Sequence, residues 1–231
     1  AYDPEGVTYL GNNRFMIASE RVRTGYVVTY VAGGLSNRLN SSAHVFAGNG
    51  DVLANDGLEG VCYDPSTNSI WGVKEKDPSA TYQLINFETP QQSVITNPFH
   101  PRVYGNNGLD DLADVYCLSA CPAFANSPRK NNLLILGQED NKIMEITRTG
   151  QVVDILDISY LNRPQVEGIT MDDDGVIYLV SEQVKTAAEG VSRFHVISPP
   201  PSTYTLQLLH LADEEAGEIV IGATTKQCMA E

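Results

Sequence analysis

Three glutamates recur at matching places in this chain. Glu5, Glu59 and Glu167 each begin a Glu-Gly pair followed by an apolar run; 54 residues separate the first two, and twice 54 separate the second from the third. The place left between them holds Ala113-Asp114-Val115-Tyr116-Cys117, which keeps the apolar rhythm but replaces Glu-Gly with Ala-Asp. Carboxylates at one position of a repeat are brought together when the repeats are arranged around an axis. Like charges within a few Å raise one another's pKa or demand a cation. An oxygen-only ligand set suits Ca2+, which takes about 6–8 oxygens. The expected metal ligands are therefore Glu5, Glu59 and Glu167, with Asp111 or Asp114 supplying the oxygen missing at Ala113.

A second set of glutamates, Glu20, Glu75, Glu139 and Glu182, ends the apolar run that follows each of these segments. Arg21, Lys74, Lys76 and Lys142 stand close by in sequence, so pairing with a neighbouring cation is the preferred reading of this set. Glu5, Glu59 and Glu167 lack adjacent cations, and for them two readings stand open: metal ligation, or acceptance of backbone N–H bonds from a neighbouring strand.

The elements that must position these carboxylates follow from the same repeat. Each leading run is followed by a turn of Gly, Asn, Asp or Pro and a second apolar run, at 14–20, 69–75, 133–139 and 176–182. The turns Gly11-Asn12-Asn13, Asp64-Pro65-Ser66-Thr67-Asn68 and Asp172-Asp173-Asp174-Gly175 have hairpin chemistry, and the third repeat carries a longer insertion over 121–132. Third runs follow at 26–31, 82–87, 142–147 and 191–197, and fourth runs near 44–47, 93–96, 151–155 and 204–209. Four short strands per unit make a propeller blade. The fold expected is an all-β propeller of four-stranded antiparallel blades, with inner strands near 5–10, 59–63, 113–118 and 166–171. One domain spans 1–231, with blades at about 3–50, 57–98, 111–158 and 165–210 and a tail over 211–231. In an antiparallel hairpin the start of the first strand and the end of the second share one edge, so both sets of glutamates belong to one rim.

At this level the chain resembles the SdiA-regulated (YjiK-like) bacterial propellers. The residues that carry the likeness are Asp3-Pro4-Glu5-Gly6-Val7-Thr8-Tyr9, Ala18-Ser19-Glu20-Arg21, Gly57-Leu58-Glu59-Gly60-Val61-Cys62-Tyr63-Asp64-Pro65, Val73-Lys74-Glu75-Lys76-Asp77-Pro78, Asp111-Leu112-Ala113-Asp114-Val115-Tyr116 and Gln165-Val166-Glu167-Gly168-Ile169. The resemblance implies an exported or periplasmic propeller, distantly similar to phytase-like and calcium-dependent esterase or lactonase propellers. Members of that family usually begin with one further sheet, which has no counterpart here. The expectation is an open propeller whose two free flanks invite self-association or another protein chain.

Composition narrows the partners. Against 29 Asp and Glu stand 15 Lys and Arg, a net charge of −14, which repels polyphosphate and disfavours nucleic acid. No stretch approaches the ~18 consecutive apolar residues of a membrane span. The chain opens on Ala1-Tyr2-Asp3-Pro4 and goes straight into a strand, which reads as a processed terminus. Cys117 and Cys121 are expected to close a small disulfide ring, in keeping with a secreted or periplasmic location, while Cys62 and Cys228 are without an obvious partner.

No nucleophile elbow, metalloprotease helix or phosphate-cradling glycine loop is present in the sequence. His44, His100, His195 and His210 are isolated, and Asn40-Ser41-Ser42 is read as a chance match to a glycosylation acceptor. The function expected is a non-catalytic, calcium-binding extracytoplasmic module for binding or assembly. The alternative is a metal-assisted hydrolase of a phosphate ester or lactone, in which the ion polarises the substrate oxygen.

Overall fold

Asn12 and Asn13 both take positive φ, 53° and 57°, and Gly11 pairs with Arg14 across them. This is the two-residue hairpin turn whose twist matches the flanking strands. Asparagine tolerates that region because its short side chain bonds locally.

Hairpins, most with longer turns than this one, are built into four antiparallel sheets. The structure, a computed structural model, describes residues 3–34, 42–46, 57–76, 78–89, 92–100, 108–161, 165–182 and 192–198. The first sheet is β1 (Pro4–Gly11), β2 (Arg14–Ser19), β3 (Thr24–Thr29) and β4 (Ser42–Val45). The second is β5 (Leu58–Asp64), β6 (Ser69–Lys74), β7 (Ala80–Ile85) and β8 (Val94–Thr96). The third is β9 (Asp114–Cys117), β10 (Leu133–Gly137), β11 (Lys142–Ile146) and β12 (Val152–Asp157). The fourth has β13 (Val166–Met171), β14 (Ile177–Ser181) and β15 (Arg193–Ile197) among the described residues. Each is a simple meander, and together they form a four-bladed β-propeller. The fourth strand expected near 204–209, the tail over 211–231, His210 and Cys228 lie outside the described residues, as does Asn40.

The first strands β1, β5, β9 and β13 lie side by side in that order. Every sheet between two others therefore has a leading face toward its predecessor and a trailing face toward its successor. Strand alternation assigns residues to these faces. Met16 and Ala18 from the trailing face of the first sheet pack with Leu58, Val61, Ile70 and Leu84 of the second. Cys62, Trp71 and Val73 pack with Val115, Cys117, Ile135 and Met144 of the third. Leu134, Leu136 and Ile143 pack with Val166, Ile169, Ile177 and Leu179 of the fourth. Among the described residues there are three apolar layers for three inter-sheet contacts, so a radial stack replaces the single core of a sandwich.

Polar ties cross the same boundaries. The fully buried Asp64 holds its own turn through Ser66 and Thr67, accepts a 2.7 Å bond from Ser119 and pairs with Arg148 of the third sheet. Burial opposes its charge, but these bonds prevail and hold its carboxyl below the usual range. Arg14 grips Glu88 with two bonds of 2.6 and 2.8 Å, tying β2 to the second sheet.

The expected Cys117–Cys121 ring does not form. Cys62 on β5 is bonded to Cys117 on β9, with the two Cα atoms 6.0 Å apart. Cys62 lies on a trailing face and Cys117 on the leading face that packs against it, so the bond staples the second sheet to the third. Cys121 follows a 3-10 turn, is buried, and points its thiol at the Asp172 carbonyl, 3.1 Å away toward the fourth sheet.

Candidate metal centre

The leading glutamates occupy one local geometry. Pairing of β1 with β2 shifts register between Pro4 and Val7, of β5 with β6 between Leu58 and Gly60, and of β13 with β14 between Val166 and Gly168. Glu5, Glu59 and Glu167 therefore each lie in a β-bulge at the head of an inner strand, a device that re-aims a side chain relative to the pleat. β9 begins without such a shift in its pairing to β10, and it is the strand that lacks the glutamate.

The following glycines have a separate cause. A Cβ on Gly6 would lie 2.6 Å from the Glu59 carbonyl oxygen, and one on Gly60 would collide with the backbone and side chain of Asp114. The inner strands approach too closely there for any side chain. Between β9 and β13 the Asp114 side chain occupies this place: Oδ2 accepts the Ile169 N–H at 2.9 Å and Oδ1 accepts the Val115 N–H at 2.8 Å. Asp114 is thus the polar replacement for the glycine of the other repeats.

The second-strand glutamates are fixed by a repeated backbone bond. Glu20 N–H donates to Asp3 O, Glu75 N–H to Gly57 O and Glu182 N–H to Gln165 O, at 2.9, 3.1 and 2.9 Å. In each case the acceptor stands two residues before the leading glutamate, which places both glutamates of a sheet at one rim. In the third sheet the Asp111 side chain substitutes, its Oδ1 accepting the Gln138 N–H at 2.9 Å.

Among the described residues two triads of carboxylates result. Asp3, Glu5 and Glu20 offer one oxygen each within 4.8 Å of one another, and so do Glu20, Glu59 and Glu75. Glu20, almost wholly buried, belongs to both. Arg21 pairs with Asp3 at 2.8 Å. Lys76 lies 2.7 Å from Glu75 and 3.4 Å from Glu139, so the cation pairing expected of the second-strand set is met at Glu75 and Glu139. Lys74 instead donates to the carbonyls of Lys76 and Pro78.

This concentration of charge perturbs the groups themselves. Burial, then Glu20, Glu75, Glu5 and Glu167, pushes the Glu59 carboxyl up to about 9. Partial burial, then Asp3, Glu20 and Glu182, raises Glu5 to about 7. Burial, then Glu182, Asp111, Glu75 and Glu5, raises Glu167 to about 7. Glu20 moves up for the same kind of reason, opposed by a bond from the Gly57 amide. Asp111 rises to about 6, chiefly through burial, and its Oδ2 is buried without a hydrogen-bond partner. Four sheets thus contribute to one electrostatically coupled rim.

Of the five residues expected as ligands, Glu5 and Glu59 stand in triads with neighbouring carboxylates. Glu167 is in neither triad but is coupled to their members, Asp111 is buried at the same rim, and Asp114 has both oxygens on backbone amides. Asp3, Glu20 and Glu75 join the cluster although sequence reasoning did not place them among the ligands. The signal for Glu20 and Glu75 was their position at the rim end of the second strand, outweighed in that reading by the adjacent Arg and Lys.

Solved structures share the architecture. Glutaminyl cyclase of Myxococcus xanthus superposes with a TM-score of 0.51 at 14% identity over 85% of this chain and 75% of its own. The PQQ-bound aldose sugar dehydrogenase of Streptomyces coelicolor gives 0.51 at 14% over 86% and 61%. A putative gluconolactonase gives 0.50 at 13% over 85% and 64%. The chain spans less than two thirds of the length of the last two. At these identities the likeness is one of fold. The family model for SdiA-regulated proteins matches residues 1–184, a span that contains all four leading segments and both carboxylate triads, and the chain belongs to the SdiA-regulated family.

Proposed function

We propose that this chain is a divalent-cation-binding propeller, with Ca2+ as the ion, that serves as an extracytoplasmic binding or assembly module. The observation that carries the reading is the pair of triads sharing Glu20. Their donors are all carboxylate oxygens, the ligands that a hard cation prefers. The raised Glu5 and Glu59 carboxyls and the orphaned Asp111 oxygen express the cost of this arrangement in the absence of a counter-charge. Glu5, Glu20, Glu59 and Glu75 would hold the ion, with Asp3 completing the outer triad and Glu167 and Asp111 bounding the rim. The Cys62–Cys117 disulfide supports an oxidising compartment.

Thermal melts with Ca2+ and with chelator test this reading. A ligand at 100 times its dissociation constant stabilises the folded state by about 2.7 kcal/mol, so a melting temperature raised by Ca2+ and returned by chelator is the expected result. An identical transition in both conditions is the opposing one.

The likeness in fold to the putative gluconolactonase favours a second reading, in which the same ion polarises a lactone carbonyl or a phosphate ester. Turnover of simple lactones and phosphate monoesters that requires Ca2+ and is lost on chelation would select it over the module.

A further inference from the structure

Arg21 and Lys76 hold the same place in the repeat, each directly after a second-strand glutamate, yet they turn in opposite directions. Arg21 turns back to Asp3 of its own sheet, at 2.8 Å. Lys76 reaches forward: its Nζ lies 2.7 Å from Glu75 of the second sheet and 3.4 Å from Glu139 at the rim of the third.

The residue at the head of the next inner strand accounts for the difference. At the boundary between the first and second sheets Glu59 joins Glu20 and Glu75, and the three offer oxygens within 4.8 Å of one another. One repeat on, the corresponding places hold Glu75, Ala113 and Glu139. Ala113 ends at its Cβ and is 5% exposed, so it brings no carboxylate, and the Lys76 ammonium pairs with both glutamates that remain. Compared with the first boundary there is one negative charge fewer and one positive charge more. Together these supply the charge of one divalent ion.

The boundary still has acidic character of its own. Asp111, two residues before Ala113, is 1% exposed, and its Oδ2 is buried without a hydrogen-bond partner. Burial is the first cause opposing its charge, Glu139 and Glu75 add to it, and the Gln138 amide and Lys76 act against them. An ammonium is a compact point charge with three donors, suited to bridging carboxylates that belong to different sheets.

We propose that the Lys76 ammonium is the resident counter-ion of the boundary between the second and third sheets, taking the cation position that the repeat would create there and keeping Ca2+ out of it. This role of Lys76 rests on the cation reading of the rim and specifies where along the rim an ion is excluded. In wild type Glu139 and Asp111 accordingly hold no ion.

Calorimetric titration of Ca2+ into wild type, Lys76→Met and Lys76→Met with Glu139→Gln reads the number of ions directly. The methionine keeps an apolar stem and removes only the charge at a side chain 34% exposed, and a cooperative melt in chelator verifies folding. Lys76→Gln repeats the test with a polar head. Either single variant is expected to bind one Ca2+ more than wild type and to gain more in melting temperature from Ca2+. Adding Glu139→Gln should remove the extra ion, because Glu139 belongs to this boundary and to neither triad. Wild-type stoichiometry in both Lys76 variants, or an extra ion that survives Glu139→Gln, would overturn the proposal. The two readings fail separately: ions in wild type with none added in the variants would overturn only the role of Lys76. An ion in the Lys76 variants alone, removed by Glu139→Gln, would support that role and overturn the cation reading of the wild-type rim; no ion in any of these proteins would overturn both.

Discussion

Cys62 and Cys117 are joined across the boundary between the second and third sheets, one repeat plus one residue apart, and Cys121 is left as a buried thiol that faces the fourth sheet. The extra residue is what matters: it moves the second cysteine from the trailing to the leading face of its strand, so the two sulfurs meet. Removing the bond, by Cys62→Ala with Cys117→Ala or by reduction, is expected to lower stability by about 2–5 kcal/mol, whereas Cys121→Ala stays within about 1–2 kcal/mol as a small buried truncation. Denaturant unfolding of the variants measures this, and peptide mapping under non-reducing conditions should return Cys121, not Cys62 or Cys117, as an alkylated thiol.

Asp114 connects β9 to β13 through the Ile169 amide. Asp114→Ala leaves a backbone donor without its partner at a part-buried site, at a cost of about 1–3 kcal/mol. Gly60→Ala attacks the neighbouring boundary by forcing a methyl group into Asp114 and should cost a similar amount through overpacking. Both losses should appear in denaturant midpoints. An unchanged midpoint for Asp114→Ala would mean that its hydrogen bond to Ile169 contributes nothing net.

The rim carboxyls give stability a definite pH dependence. Glu59, Glu5 and Glu167 have folded-state values near 9, 7 and 7 against an ordinary 4.5, so between 4.5 and those values the folded state binds more protons than the unfolded one. Without cation, stability from these groups is fully present below pH 4.5 and declines as pH rises toward 9. Melting temperatures in chelator should fall over this window. With saturating Ca2+ the decline should flatten, because the ion takes the place of the protons, and binding near pH 7 should release protons that buffers of different ionisation enthalpy detect calorimetrically.

The 54-residue spacing of Glu5 and Glu59 made the sheets legible in the sequence, because blade length fixes the spacing and turn residues such as Asn12 and Asn13 mark the hairpins between strands. Contacts between blades were harder to read. Cys117 has a near neighbour in Cys121, and only the parity of positions 62 and 117 across two facing strands shows where its partner lies. Asp114 looked like a displaced ligand, yet its position in the glycine slot gives it a role between strands. Glu20 illustrates the same difficulty at the site: Arg21 follows it in sequence but turns to Asp3, leaving Glu20 among the acids of two sheets.

Glu20 is shared by both triads, so its carboxylate tests the cation reading most directly. Isothermal titration of Ca2+ into wild type and Glu20→Gln, with Glu139→Gln as an exposed control outside the triads, makes the comparison at nearly constant shape. A saturable heat is expected in wild type and in Glu139→Gln, with a loss of at least tenfold in affinity in Glu20→Gln, about 1.4 kcal/mol. No saturable heat in wild type, or equal affinity in Glu20→Gln, would contradict the cation reading.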